Sequence, residues 1–79
     1  MAQARVKEIA PGIVVDPAVR FGKPVIKGTR VPITVILEQL ALGATVQEVA
    51  DEYGVQPEDV LAVLRYAHEV ISNEEVRAV

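Results

Sequence analysis

The segment Lys27-Gly28-Thr29-Arg30-Val31-Pro32 constrains this chain more than any other, because it packs backbone punctuation, charge and a helix start into six residues. Gly28 takes a positive φ without steric cost. Pro32 fixes φ near the helical value and lacks the N–H that a helix start leaves unpaired. Gly28 and Pro32 thus hold Arg30 on a stiff corner. A guanidinium in that position suits an ordinary surface turn, or a positioned contact to phosphate, carboxylate or a partner chain.

Downstream of the corner, punctuation cuts the chain into three helices. Ile33, Ile36, Leu37, Leu40 and Ala41 form one apolar stripe that predicts a helix over 33–42, stopped by Gly43. Thr45 with Glu48 three residues later has the form of a capping box and opens a second helix over 45–53, which Gly54 ends. Pro57 restarts a helix that runs to about residue 72, with Glu58 and Asp59 near its positive end. Its apolar band (Val60, Val63, Leu64, Ala67, Val70 and Ile71) is wider than two short neighbours require. The residues expected to be buried together are Ile36, Leu37, Leu40, Val49, Ala50, Val60, Leu64 and Ala67.

Upstream, Ile13-Val14-Val15 and Val25-Ile26 are short β-branched runs bounded by Pro11-Gly12 and Gly28. They predict a small two-stranded ribbon, which is marginal in water and must lie against the helices or pair with another copy. The expected fold is therefore mainly α. A basic arm with a short β ribbon (1–30) precedes a three-helix core (31–72) and a flexible tail (73–79). Phe21 is expected to pack.

A chain of 79 residues makes one small domain. Domains of this size bury only about 60–65% of their unfolded surface and are marginal alone. With no cysteine and the single histidine His68, neither a disulfide nor a structural zinc site is available, and no metal or cofactor is expected. An apolar fraction of 51% then favours a homodimer that hides apolar surface. No stretch has signal-peptide or membrane-span character, so a cytoplasmic protein is expected.

Charge is uneven. Residues 1–30 carry Arg5, Lys7, Arg20, Lys23, Lys27 and Arg30 against Glu8 and Asp16, whereas residues 31–79 carry Arg65 and Arg77 against nine acids. A basic arm on an acidic body points to a polyanion or an acidic partner. The candidate contacts are Arg20, Lys23, Lys27, Thr29, Arg30 and Arg65, with Gly28, Pro32, Gly43 and Gly54 as structural turns. Catalysis finds little support, and no enzyme is expected: Ser72, Thr29, Thr34 and Thr45 have no evident base. His68, beside Glu69 on a helix face, reads as solvated or partner-facing. The acid pairs Asp51-Glu52, Glu58-Asp59 and Glu74-Glu75 read as solvated faces and helix-dipole partners.

The ordered set Asp16-Pro17, the Gly-Lys-Pro-x-Ile-x-Gly-Thr-Arg-Val-Pro block over 22–32, Gly43, the Thr45-x-x-Glu48 start and Pro57-Glu58-Asp59 with Tyr66-Ala67 resembles the family known as domain of unknown function 433. The resemblance covers roughly residues 13–71. It implies a homeodomain-like helix-turn-helix fold and an antitoxin role, since many members are encoded beside PIN-like ribonuclease toxins. It also implies a PIN-like toxin as partner and operator DNA as a further ligand. The second and third helices, joined by Gly54-Val55-Gln56, have helix-turn-helix lengths. Yet the residues that would face base edges are Gln56, Glu58, Asp59 and Ala62, and two carboxylates there oppose phosphate. A nucleic-acid contact is better assigned to the basic arm. The alternative is a small homodimeric interaction module without DNA binding.

Overall fold

In a computed structural model, the structure describes residues 5–74. Three short strands, β1 (Lys7–Ala10), β2 (Ile13–Val15) and β3 (Val25–Ile26), precede helices α1 (Ile33–Ala41), α2 (Val46–Tyr53) and α3 (Pro57–Ser72). The outer ends of the expected arm and tail, residues 1–4 and 75–79, lie outside the described residues.

The mainly-α expectation is corrected by the sheet. The strands form a three-stranded antiparallel sheet in the order β1-β2-β3, where a two-stranded ribbon was expected. The added strand, β1, is an edge strand with Lys7, Glu8 and Ile9 exposed. It therefore lacks the apolar alternation that marks a half-buried strand. Backbone pairing holds it instead, with Lys7 opposite Val15, Glu8 opposite Val14, and a register irregularity before Ala10 meets Ile13. A charged, irregular edge of this kind resists pairing with a further strand. The β1–β2 turn has proline then glycine at its centre, and Gly12 takes φ +82°.

The inner strands belong to the core. Ile13 pairs with Ile26 and Val14 with Val25, and all four are buried. Ile13 and Ile26 join Ile33 and Ile36 of α1, Val49 and Ala50 of α2, Val55, and Val60, Ala62 and Val63 of α3 in one apolar cluster. No polar or charged residue is buried among the described residues, so this interior carries no desolvation cost of that kind.

Each helix starts and stops where the chain supplies partners for its terminal groups. Pro32 sits at the N-cap of α1 (φ −66°, ψ 140°) and not inside its first turn. The Ile33 N–H donates to the Pro24 carbonyl at 3.1 Å. At α2 the Glu48 N–H donates to Thr45 Oγ1 at 3.0 Å and the Thr45 N–H to Glu48 Oε1 at 2.8 Å, completing the capping box. Gly54 ends that helix in the left-handed region. At α3 the Gln56 N–H donates to Asp59 Oδ2 at 2.8 Å.

Burial along α3 differs from the expectation in its second half. Val60 and Val63 are fully buried, but Leu64 is 37% exposed, Val70 42% and Ile71 65%. For Val70 and Ile71 the cause is length: α3 has 16 residues against 9 in α1 and 8 in α2, so its last turns outrun the elements that would cover them. Leu37 and Leu40 pack on the cluster while only partly buried. No helix among the described residues is long and apolar enough to cross a membrane.

The α2 cap gives a test. Thr45→Ala is expected to lower the unfolding free energy by about 1 kcal/mol in urea titrations. The Thr45 N–H holds the Glu48 carboxyl below its ordinary value of 4.5. A depressed carboxyl stabilises the fold above its unfolded pKa, and that contribution disappears as pH falls through the folded value. Glu48→Gln is therefore expected to flatten the loss of stability on acidification below about 4.5, measured by urea unfolding across pH.

Candidate functional site

The chain between β3 and α1 doubles back on itself. The Ile26 N–H donates to the Val31 carbonyl at 3.0 Å, and Val25 bridges to Pro32. Thr29 closes the loop from inside: its hydroxyl donates to the Ile26 carbonyl at 2.7 Å and accepts from the Val31 N–H at 3.0 Å. Gly28 turns the corner at φ +79°. Arg30 is thus carried, exposed, on a loop tied at both flanks. Thr29 acts as the tie and is committed to the backbone.

A second turn approaches this loop from β2. The Asp16 carboxylate accepts from the Ala18 N–H at 2.9 Å, and the Asp16 carbonyl from the Val19 N–H at 2.9 Å. Arg20, Phe21 and Gly22 follow with φ of 51°, 57° and 79°, a single left-handed turn. For L-residues this region costs roughly 1–2 kcal/mol each. The Arg20 Nε donates to the Arg30 carbonyl at 3.3 Å, joining the two loops. Phe21 does not pack, contrary to expectation. It is 99% exposed, on a backbone held at φ 57°.

Two adjoining grooves result. One is lined by Arg20, Arg30, Val31, Pro32, Val35 and Tyr53, the other by Arg20, Phe21, Lys23, Pro32, Thr34 and Val35. Arg20, Pro32 and Val35 are common to both, so the surface is continuous. Burial, then Glu52 and Glu38, push the Tyr53 phenol up from its ordinary value.

Of the candidate contacts, Arg20, Lys23 and Arg30 share this surface. Lys27 faces another way and pairs with Glu8 at 3.0 Å, the sole ion pair among the described residues. The Gly12 N–H, then Lys27, hold the Glu8 carboxyl below its ordinary range. Arg65 lies on α3 in a separate groove with Leu61, Leu64 and His68. Sequence reasoning passed over Tyr53, Val35 and Phe21 as surface contributors. For Phe21 one signal was legible, a lone aromatic inside a segment rich in proline and glycine. No cluster of three or more histidine, cysteine or acidic side chains suited to a metal occurs among the described residues.

The model of the family described as "Protein of unknown function (DUF433)" matches residues 13–67. The chain belongs to the DUF433 family. The matched stretch begins at β2 and spans both loops, the two grooves and all of α1 and α2. A Mycobacterium tuberculosis protein named "Putative antitoxin VapB45" is 44% identical over 48 residues, covering 61% of this DUF433 chain and 20% of its own length. The crystal structure of Rv2018 from Mycobacterium tuberculosis superposes with a TM-score of 0.62 at 42% identity, over 66% of this chain and 24% of that one. The chain thus spans about a fifth of the curated relative's length and about a quarter of the solved chain.

The two loop glycines separate strain from crowding. A Cβ on Gly28 meets nothing within 4 Å, whereas one on Gly12 lies 3.2 Å from the Ala62 Cβ of α3. Gly28→Ala is expected to cost about 1–2 kcal/mol from φ alone. Gly12→Ala is expected to cost more, read from urea midpoints at unchanged slope.

Proposed function

We propose that this chain is an antitoxin-type binding module that holds a PIN-like ribonuclease toxin through the surface of Arg20, Lys23 and Arg30. The observation that carries the reading is electrostatic. Three cations line two adjoining grooves that share Arg20, Pro32 and Val35, and none of them makes an ion pair among the described residues. The name of the Mycobacterium tuberculosis relative, "Putative antitoxin VapB45", supports the antitoxin role. PIN-like nucleases hold a divalent metal in a cluster of acidic side chains, which is the charge this surface complements. Arg30 is the leading contact, since a guanidinium pairs bidentately with a carboxylate. Its loop is ordered before binding by the Thr29 and Ile26 hydrogen bonds, so little conformational entropy is lost.

Operator binding is a second reading, favoured by the same basic surface and not by α3. The first turn of α3 carries Glu58 and Asp59, and the Asp59 carboxylate is occupied by the Gln56 N–H. Self-association is assigned to α3, where Leu64, Val70 and Ile71 are exposed and Ile33, Leu37, Tyr66 and Ala67 continue the apolar surface. A homodimer formed there supplies the apolar burial that a domain this small lacks.

Co-expression with the PIN-like nuclease of the same host tests the proposal. The wild-type chain is expected to restore growth, and Arg30→Ala to lose most of that protection while keeping its urea midpoint. Full protection by Arg30→Ala, or the absence of any nuclease that the chain neutralises, would return the protein to a homodimeric interaction module without a toxin.

A further inference from the structure

Phe21 is unusual in two independent respects. Its ring is 99% exposed, and its backbone is left-handed between two other left-handed residues. Exposed apolar side chains are common singly, but a bulky L-residue at positive φ is a real outlier. Strain of this kind persists only where surrounding structure enforces it, and it concentrates at ligand clamps. Here the enforcement is visible. The Gly22 N–H donates to the Val19 carbonyl at 3.1 Å, the Lys23 N–H to the Arg20 carbonyl at 3.1 Å, and the Arg20 Nε to the Arg30 carbonyl at 3.3 Å.

The ring contributes nothing to the core, so the strain is not offset by packing within the chain. Around it stand Arg20 and Lys23, with Pro32 and Val35 on the groove floor. We propose that Phe21 is a preformed anchor that inserts into an apolar pocket rimmed by carboxylates on a protein partner. The inference rests on the antitoxin reading above and names the residue that supplies its apolar affinity. Aromatic and arginine side chains dominate binding energy when they enter desolvated pockets, and rim charges alone seldom supply it. The backbone that carries the ring is already ordered by these hydrogen bonds, so little backbone freedom is lost on insertion.

A protein fits better than a nucleic acid. A polyanion would use the three cations but would also meet a chain of net charge −3 with Glu48, Asp51, Glu52 and Glu58 on its helices. An acidic-rimmed pocket would use the ring and the cations together.

Phe21→Gly separates this role from a structural one, because the two roles predict opposite changes. Glycine accepts φ +57° freely and no core contact is lost, so the full-length variant is expected to unfold at a higher urea concentration than wild type. Calorimetric titration with the purified PIN-like nuclease is expected to show binding weakened on the order of thirtyfold or more. Wild-type affinity in Phe21→Gly, with affinity lost in Arg30→Ala, would overturn the anchor and leave the antitoxin reading standing. Wild-type affinity in both variants would overturn both. Weakened retention on operator duplex with unchanged nuclease affinity would also overturn the anchor, reassigning the ring to nucleic acid.

Discussion

The return of the chain at residues 24–33 is the constraint on which the rest of the molecule depends. Two backbone hydrogen bonds, Ile26 N–H to Val31 carbonyl and Ile33 N–H to Pro24 carbonyl, fasten the last strand to the first helix. They place Ile26 and Ile33 in one cluster and fix the direction in which α1 leaves the sheet. Without that return the sheet would have only its own pairing, and strands of two to four residues are too short to stand alone. The same return shapes the two grooves. Pro32, which ends the bridge to Val25, is also the floor of both grooves, and Arg30 is held two residues before it.

Charge is partitioned by the fold rather than merely by sequence position. Lys27 belongs to the same basic stretch as Lys23 and Arg30, yet β1 presents Glu8 to it, and Lys27 lines neither groove. That pair is exposed, and exposed ion pairs contribute little to stability. Its consequence is local: it leaves Arg20, Lys23 and Arg30 as a compact cationic group. The acidic side chains of α2 and of the first turn of α3 are spent on caps and on solvent, as Glu48 and Asp59 illustrate. A partner docking at the groove, as proposed, would therefore meet charge of opposite sign on different sides of the molecule, which would favour one orientation over others.

The helices were legible because their punctuation is chemical. Thr45 with Glu48, Gly54, and Pro57 each mark an end by a hydrogen bond or a backbone conformation that few other residues supply. The third strand was not legible, since β1 is held by main-chain pairing and its side chains carry no period. That omission is what made the fold read as mainly α. Arg30 on its corner was visible from Gly28 and Pro32 alone. Arg20 was a candidate by its charge, but its bond to the Arg30 carbonyl and the nearness of Tyr53 were not legible, because both arise only through tertiary contact. Phe21 was misread for a related reason: hydrophobicity predicts burial on average, but Phe21 sits in a left-handed turn tied by Asp16, Val19 and Gly22 and stays exposed.

The two unpartnered surfaces lie on different sides of α1. Val35 faces the basic grooves, whereas Ile33 and Leu37 face the apolar surface shared with Tyr66, Ala67, Val70 and Ile71 of α3. Positions two apart on a helix are separated by about 200° around its axis, so these faces point in nearly opposite directions. A contact between the Phe21 side of one copy and the α3 side of another would be head-to-tail and would build a ring or an open filament. A closed dimer must use like surfaces, and the apolar α3 side meets a second copy of itself without charge repulsion, while the cationic side does not. Self-association through α3 would then leave Arg20, Phe21 and Arg30 open on both protomers. Two copies of the grip, held at a fixed distance by one interface, would engage a partner that is itself paired with an advantage that neither single contact provides.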